Sequence, residues 1–213
     1  MCASALSRLQ DRRDTAVDSE GDAGFTLIEL MVVLLILAIL LAIAIPTFLG
    51  VTGGANDRAA QSNLNTALTT AKSAETQNGQ SYNTTGGGSA NISSTTLQAN
   101  EPAITFSTTA VTTAGPVSVY VSTDGNGIVL ASFSKSTNTC WYAVDNIGVI
   151  SVAAANGSYV TATSPGSTTS APTNQGDFYG LQKAASGTTT CNAAVAPTTA
   201  YWGSTYGAAS AAA

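Results

Sequence analysis

A long apolar run close to the N-terminus is the feature that most constrains this chain of 213 residues. Sixteen consecutive apolar residues extend from Leu30 to Ile45, and the wider stretch from Phe25 to Leu49 has 25 residues with few polar interruptions. At about 1.5 Å per residue, this wider stretch forms a helix about 37 Å long, which is enough to cross the hydrocarbon core of a bilayer. A buried core helix is the alternative, but no other segment of the sequence is suited to cover all its sides. We therefore predict a membrane-spanning half-helix over residues 25–50.

Residues 1–24, which precede the apolar run, are polar and show no hydrophobic periodicity. They do not resemble a secretory signal peptide, in which a basic region is followed by a short apolar core and a cleavage site. Here the polar segment ends at Gly24, and the apolar run begins directly at Phe25. We therefore interpret residues 1–24 as a leader of a different kind.

The three cysteines divide between the leader and the distal half of the chain. Cys2 lies in the leader, whereas Cys140 and Cys191 lie beyond the predicted membrane span. An even pair therefore remains if the leader is removed. A disulfide between Cys140 and Cys191 is expected if the distal half lies in an oxidising compartment, and two buried free thiols are the alternative.

The segment after the apolar run has the periodicity of an amphipathic helix. Its apolar positions are spaced by four, three, one, three and three residues, which places them on one helical face: Ala60, Leu64, Ala67, Leu68, Ala71 and Ala74. Asn78-Gly79 ends the pattern. We predict an amphipathic half-helix over residues 51–80 that continues the apolar one, giving about 50 helical residues together. Pro46 is expected to bend this helix, and three glycines are expected to weaken its middle: Gly50, Gly53 and Gly54.

Beyond residue 80 the pattern favours strands. The run that contains Val117, Val119 and Val121 is followed by Asp124–Gly127, whose DGNG sequence is a strong hairpin signal. A second turn at Lys135–Asn138 leads into the strand candidate TCWYAV. These signals predict consecutive antiparallel strands.

The remaining distal sequence is poorer in strand signals. Gly148–Thr199 is rich in small and hydroxyl residues and is expected to be loop, irregular coil or weak edge strand, with Val149–Val152 as a short strand candidate. A last strand candidate, Ala200–Tyr206, precedes a low-complexity tail.

These elements together predict an α+β fold in which a long N-terminal helix packs on a small antiparallel sheet. The sheet would form a head over residues 81–213, and its open face would cover the apolar helical stripe. Four aromatic residues are expected to alternate between the core and the surface of this sheet rather than to serve as adhesive groups: Trp141, Tyr142, Tyr201 and Trp202.

The composition argues against an enzyme. The chain has no histidine, which excludes imidazole metal sites and Ser-His-Asp or Cys-His catalysis. Charged residues make up 9% of the chain, and the basic ones form no patch for nucleic acid. The distal aspartates Asp124, Asp145 and Asp177 lie far apart and lack the Asp-x-Asp spacing of a calcium loop. We predict no catalytic residue, no metal, no cofactor and no direct nucleic-acid site.

Glu29 lies inside the predicted span, where an ionised carboxylate costs about 2.5–3.5 kcal/mol or more. The sequence has no basic residue between Arg13 and Arg58 that could compensate this charge. Cleavage between Gly24 and Phe25 would create a partner, an α-amino group one helical turn from Glu29, within one chain or between neighbouring chains. In a bundle of identical helices, an intermolecular pair would also fix the axial register. The alternative is that Glu29 marks the membrane boundary and extends into water.

The stretch GFTLIEL, followed by MVVLLILAILLAIAIPTFLG, resembles the class III signal peptides of type IV prepilins and of type II secretion pseudopilins. The stretch ANDRAAQSNLNTALTTAKS is similar to the continuing helix of actinobacterial type IV pilins. The resemblance implies that Gly24 precedes the prepilin peptidase cleavage site and that Phe25 becomes the N-methylated first mature residue. It also implies that Glu29 serves assembly and methylation.

Further roles follow from the same resemblance. It implies that Pro46 bends the filament-core helix and that Cys140 and Cys191 close the C-terminal loop. The leader departs from the family pattern, because many prepilin leaders have basic residues before the glycine, whereas acidic residues stand here: Asp18, Glu20 and Asp22. The Gly-Phe junction and the downstream glutamate are nevertheless intact.

The expected protein is therefore a structural subunit of a type IV pilus. It would be a single-pass cytoplasmic membrane protein before assembly and part of an extracellular filament afterwards. Its expected partners are the prepilin peptidase, other pilin subunits, the membrane and the pilus assembly platform. One alternative is a pseudopilin of a type II secretion or DNA-uptake system. Another is an ordinary single-pass membrane protein with an adhesive ectodomain, which would retain residues 1–24.

Overall fold

The computed structural model of the chain describes residues 25–82, 92–150, 171–183, 190–195, 197 and 200–211. The chain divides into two compact units, residues 1–48 and residues 49–213. Helix α1 (Leu27–Gln77) has 51 residues and contributes to both units. Its length agrees with the helix predicted from the sequence.

In the first unit, α1 is apolar on all sides and its side chains are exposed. Leu34, Ile43 and Phe48 each keep more than half of their surface accessible. Within the described part of the chain, α1 is the helix that is long and apolar enough to cross a membrane. Such a surface needs an apolar environment, because hydrating it is unfavourable.

Helix α1 continues through Pro46 and through the glycines that follow it. Proline has no N–H, so the intrahelical hydrogen bond to the carbonyl of Ala42 is missing. The hydroxyl of Thr47 donates to the carbonyls of Ile43 (3.2 Å) and Ala44 (2.9 Å) in the same turn. The helix is therefore not interrupted here, and the bend expected at Pro46 stays a prediction.

In the second unit, one stripe of α1 packs against the sheet. The six positions predicted from the helical period are all at most 5% exposed: Ala60, Leu64, Ala67, Leu68, Ala71 and Ala74. The helix ends at Gln77, and Gly79 follows with a φ of 75° in the left-handed region that glycine adopts without strain. The predicted face and the predicted stop are both confirmed.

A sheet of six strands follows, in which each strand neighbours the next along the chain. The strands are β1 (Phe106–Ser107), β2 (Val117–Val121), β3 (Gly127–Ser134), β4 (Thr139–Asn146), β5 (Gly176–Lys183) and β6 (Tyr201–Gly203). β1 pairs with β2 in parallel, and the other neighbouring pairs are antiparallel. The predicted α+β fold is confirmed.

Both predicted turns connect strands. Asp124 Oδ1 accepts hydrogen bonds from Ser122 Oγ (2.7 Å) and from the backbone N–H of Asn126 (3.1 Å), which closes the turn between β2 and β3. Gly125 has a φ of 74° in this turn. Residues 135–138 form the turn between β3 and β4.

Hydrophobic residues cover both faces of the sheet, and β3 and β4 are buried along their whole length. The helix-side core joins the stripe of α1 to residues including Val117, Val119, Leu130, Trp141 and Leu181. The far-side core lies on the opposite face and includes Val129, Phe133, Tyr142, Val144 and Trp202. Trp141 and Tyr142 therefore alternate between two cores. The expectation that one of them would lie on the surface was wrong, because the far side is also covered.

Strand β5 is the main departure from the expected architecture. It lies in the segment that was expected to be loop, coil or weak edge strand, yet it pairs with β4 over eight residues. Gly180 weakens its strand pattern in the sequence, but the ring of Trp202 lies where a side chain at this position would stand. The strand candidate Val149–Val152 was wrong at Val149 and Ile150, which are not in a strand, and its last two residues lie outside the described ones.

Two short helices were also not expected. Helix α2 (Ser94–Asn100) begins after Ser93, whose side chain accepts a hydrogen bond from the backbone N–H of Thr96. Helix α3 (Tyr206–Ala211) starts at the end of the last strand candidate, so that only residues 201–203 pair as a strand. Ala208 packs directly on Gly203, because glycine presents no side chain there.

We predict that Gly180→Ala destabilises the head by about 1–3 kcal/mol, because overpacking forces a rigid ring to shift. A Cβ at this position would lie 2.6 Å from Cζ3 of Trp202. Thermal unfolding of the full-length chain in detergent micelles, followed by near-ultraviolet circular dichroism, measures the loss. Gly54→Ala is the matched control, since a Cβ there meets no atom within 4 Å. Equal stability of Gly180→Ala and Gly54→Ala would contradict the packing described.

Candidate functional site

The start of α1 carries the residues for which the sequence predicts a role in processing and assembly. Phe25 and Thr26 precede the first helical residue, Leu27. Gly24, which the sequence places before the predicted cleavage site, lies outside the described residues. The predicted site therefore coincides with the point at which the helix begins.

Glu29 and Thr26 form a capping box. Glu29 Oε2 accepts hydrogen bonds from the backbone N–H and from the hydroxyl of Thr26, both at 2.9 Å. In return, the backbone N–H of Glu29 donates to Thr26 Oγ1 at 3.3 Å. This reciprocal arrangement satisfies two backbone donors that have no partner inside a helix and fixes where the helix starts.

The capping box gives Glu29 a local partner that the sequence analysis missed. The spacing T-x-x-E in TLIE is the signal that could have revealed it. Thr26 holds the carboxylate beside Phe25, whose nitrogen becomes an amino group if the chain is cleaved after Gly24. The pairing of Glu29 with that amino group stays a prediction.

The comparison with protein families agrees with the position of this site. Residues 21–45 match the family model described as the prokaryotic N-terminal methylation motif. The match includes the capping box and most of the exposed apolar part of α1. No curated protein and no solved structure matches the chain.

The match supports a type IV pilin-like prepilin signal, and with the apolar helix it supports a membrane-anchored protein similar to pilins or pseudopilins. This motif marks structural proteins of the pilin type rather than enzymes, and it implies processing by a prepilin peptidase. The actinobacterial subclass stays a prediction.

A disulfide joins Cys140, at the start of β4, to Cys191. Cys191 exchanges two backbone hydrogen bonds with Val111, at 2.8 and 2.9 Å. The neighbouring backbone N–H of Ala193 donates to Ser118 Oγ at 3.0 Å. Residues 190–195 are thereby held over the far side of the sheet, which explains why the polar side chain of Ser118 is buried on β2.

The described residues of the segment closed by this disulfide contain more strand than its composition suggests. It contains most of β4 and the whole of β5, rather than only a loop of small and hydroxyl residues. The crosslink therefore holds residues 190–195 against the far side of the sheet, and it also closes a C-terminal loop.

Asp145 and Asp177 lie directly opposite each other on β4 and β5, although they are 32 positions apart in the sequence. Lys72 of α1 forms a salt bridge with each of them. Their spacing in the sequence does not relate these aspartates, because only the register of β5, which the sequence does not predict, brings them together. In the described part of the chain, no three His, Cys, Asp or Glu residues are grouped in a way that could hold a metal ion.

We predict that the double variant Cys140→Ala/Cys191→Ala loses about 4 kcal/mol of stability, because the crosslink restricts the unfolded chain. The two cysteines are 51 positions apart. Denaturant unfolding of the full-length chain in detergent measures the difference. Cys2→Ala serves as the control, since it removes a thiol but leaves this pair intact. A double variant as stable as the Cys2→Ala protein would contradict the role given to the crosslink.

Proposed function

We propose that this chain is a structural subunit of a type IV pilus. A prepilin peptidase cleaves the precursor between Gly24 and Phe25, and Phe25 becomes N-methylated. The mature chain then leaves the membrane and joins a helical filament through the apolar part of α1. Glu29 pairs with the amino group of Phe25 within the filament and sets the register of the subunits.

One observation carries this proposal. The prokaryotic N-terminal methylation motif coincides with the part of α1 whose apolar side chains are exposed on all sides. A surface of this kind is compatible with a bilayer and equally with a bundle of identical helices, because both keep apolar groups away from water. Transfer from one to the other therefore requires little change in the helix itself.

The proposal assigns a role to each part of the chain. Residues 1–24 are a cleaved leader, residues 25–50 form the membrane span and later the filament core, and residues 51–80 form the amphipathic half-helix. Residues 81–213 form the head that coats the filament. Besides the peptidase, the partners are further pilin subunits, the membrane and the assembly platform.

We predict that surface filaments sheared from cells contain this chain with a methylated Phe25 as its first residue. Mass spectrometry of the sheared fraction identifies that terminus. Gly24→Leu is expected to block processing, because a bulky residue stands next to the cleaved bond. Gly21→Leu, in the same polar segment, is the matched control and should be processed normally.

Two results would contradict the proposal in different ways. A native chain that still begins at Met1 would exclude cleavage altogether. A processed chain that stays in a short periplasmic assembly, without surface filaments, would favour the pseudopilin alternative.

We predict that Glu29→Ala leaves a processed, membrane-resident protein with an unchanged thermal transition of the head but without filaments. The wild-type carboxylate of Glu29 lies in the membrane span, where an ionised group costs about 2.5–3.5 kcal/mol or more. Replacing Glu29 by alanine removes this cost and is therefore compatible with insertion. Thr26→Ala is the matched variant, because it removes the hydroxyl of the capping box and keeps the carboxylate. It should still form filaments.

Electron microscopy and quantification of the sheared fraction distinguish the roles of Glu29. Equal loss of filaments in Thr26→Ala and Glu29→Ala would assign Glu29 to helix capping alone. Wild-type filament yield in Glu29→Ala, with no second subunit that supplies a carboxylate, would show that Glu29 only marks the membrane boundary.

A further inference from the structure

Four titratable side chains meet where the last part of α1 approaches the sheet. Lys72 Nζ lies 2.7 Å from both carboxylate oxygens of Asp177 on β5 and 3.6 Å from Oδ1 of Asp145 on β4. The hydroxyl of Tyr82, in the segment after α1, donates to Oδ2 of Asp145. Asp145 and Asp177 lie directly opposite each other on the paired strands, and Lys72 contacts both carboxyl groups. This cluster connects the helix, the segment after it and two neighbouring strands.

The cluster has a buried end and an accessible end. Tyr82 is fully buried and Asp145 is 7% exposed, whereas the side chains of Lys72 and Asp177 are about 40% exposed. Lys72 supplies one positive charge to two adjacent carboxyl groups. Two neighbouring carboxyl groups can form a hydrogen bond with each other only when one of them carries a proton, since two carboxylates are both acceptors.

The surroundings favour the buried carboxyl group as the one that holds the proton. Burial, together with the neighbouring carboxyl group of Asp177, raises the pKa of Asp145 from 3.8 to about 6, although Tyr82 and Lys72 oppose this change. Burial would also raise the pKa of Asp177, but the neighbouring Asp145 and the hydrogen bonds from Lys72 outweigh burial and lower that pKa. Neighbouring carboxyl groups separate their titrations in this way.

Lys72 and Tyr82, which contact Asp145, do not exchange protons in the same range. Burial would lower the pKa of Lys72, but the two aspartates outweigh it and raise that pKa. Burial and Asp145 raise the pKa of Tyr82 far above its ordinary value, so its hydroxyl remains a donor. Two further groups face the cluster, Glu75 from α1, which acts on Tyr82, and Tyr179 from β5, whose pKa is raised mainly by burial.

We infer that Asp145 and Asp177 share one proton and form a pH-sensitive latch that fastens β5 to β4 and α1. With the proton present, the carboxyl group of Asp145 donates to the carboxylate of Asp177, and Lys72 neutralises the remaining charge. When the proton is lost, two carboxylates face each other across the strand pair and repel. The contacts that join β5 to β4 and α1 then weaken. The latch lies where the second half of α1 contacts the head, and it does not depend on filament assembly.

The direction of the pH effect follows from proton binding. Between about pH 4 and about pH 6, folded Asp145 holds a proton that the unfolded chain has released, so the free energy of unfolding rises as the pH falls through this window. Asp177 acts in the opposite sense at lower pH. Its stabilising contribution is present above 3.8 and is lost as the pH falls through its lowered pKa. These two groups together therefore stabilise the head most in mildly acidic surroundings.

Hydrogen exchange of the full-length chain in detergent micelles, analysed by mass spectrometry, tests the latch. After correction for intrinsic exchange rates, the β5 peptide should open about tenfold less often at about pH 5 than at about pH 7.5. Asp145→Asn should abolish this difference, because the amide donates to Asp177 and accepts from Tyr82 at every pH. Glu101→Gln makes the same change of charge elsewhere on the head and should keep the difference.

Equal pH dependence in the wild type and in Asp145→Asn would overturn the inference. A measurement on the unchanged protein keeps the test decisive if Asp145→Asn does not fold. The carboxyl carbon of Asp145 in isotope-labelled wild-type protein should titrate near pH 6. Titration of Asp145 at the ordinary value of an exposed aspartate would also overturn the inference.

Discussion

The head depends on the contact between one face of α1 and the sheet. That face presents four alanines and two leucines, Leu64 and Leu68, over the second half of the helix. The alanines let the helix backbone approach the strands, and the leucines fill the space between them. A sheet of this size needs such a cover, because strands with one bare apolar face are marginally stable in water. The long helix therefore serves as a structural part of the head as well as an apolar anchor.

The far side of the sheet is covered by different means. Little of the distal sequence is strongly apolar, so residues 190–195 are held by backbone pairing with Val111, by the Ser118 hydroxyl and by the disulfide to Cys140. Trp202 supplies the largest apolar group on this side, and it fits because Gly180 leaves room for its ring. Covalent and polar contacts thus compensate for a small supply of hydrophobic residues.

Local signals in the sequence predict the parts of this fold that local interactions form. The spacing of Ala60 to Ala74 reveals the buried helical face, and Asp124–Gly127 reveals a hairpin, because each depends on residues close in sequence. Strand β5 could not be predicted in the same way. Its glycines weaken a strand by local rules, and only the distant Trp202 gives Gly180 a packing role. The proximity of Asp145 and Asp177 could not be predicted for the same reason, because it depends on the register of β5.

The residues of the N-terminal site were predicted from the sequence, but the local partner of Glu29 was not. Thr26 occupies Oε2 of the carboxylate in the structure, which at first suggests that capping competes with a pairing to the amino group of Phe25. A carboxylate, however, has about four lone-pair sites on its two oxygens. It can therefore accept from Thr26 and from an ammonium group together. The capping box fixes the position of the carboxylate at the end of the helix where cleavage would create that ammonium group. Capping the helix and preparing a charged contact between subunits are thus compatible roles of one side chain.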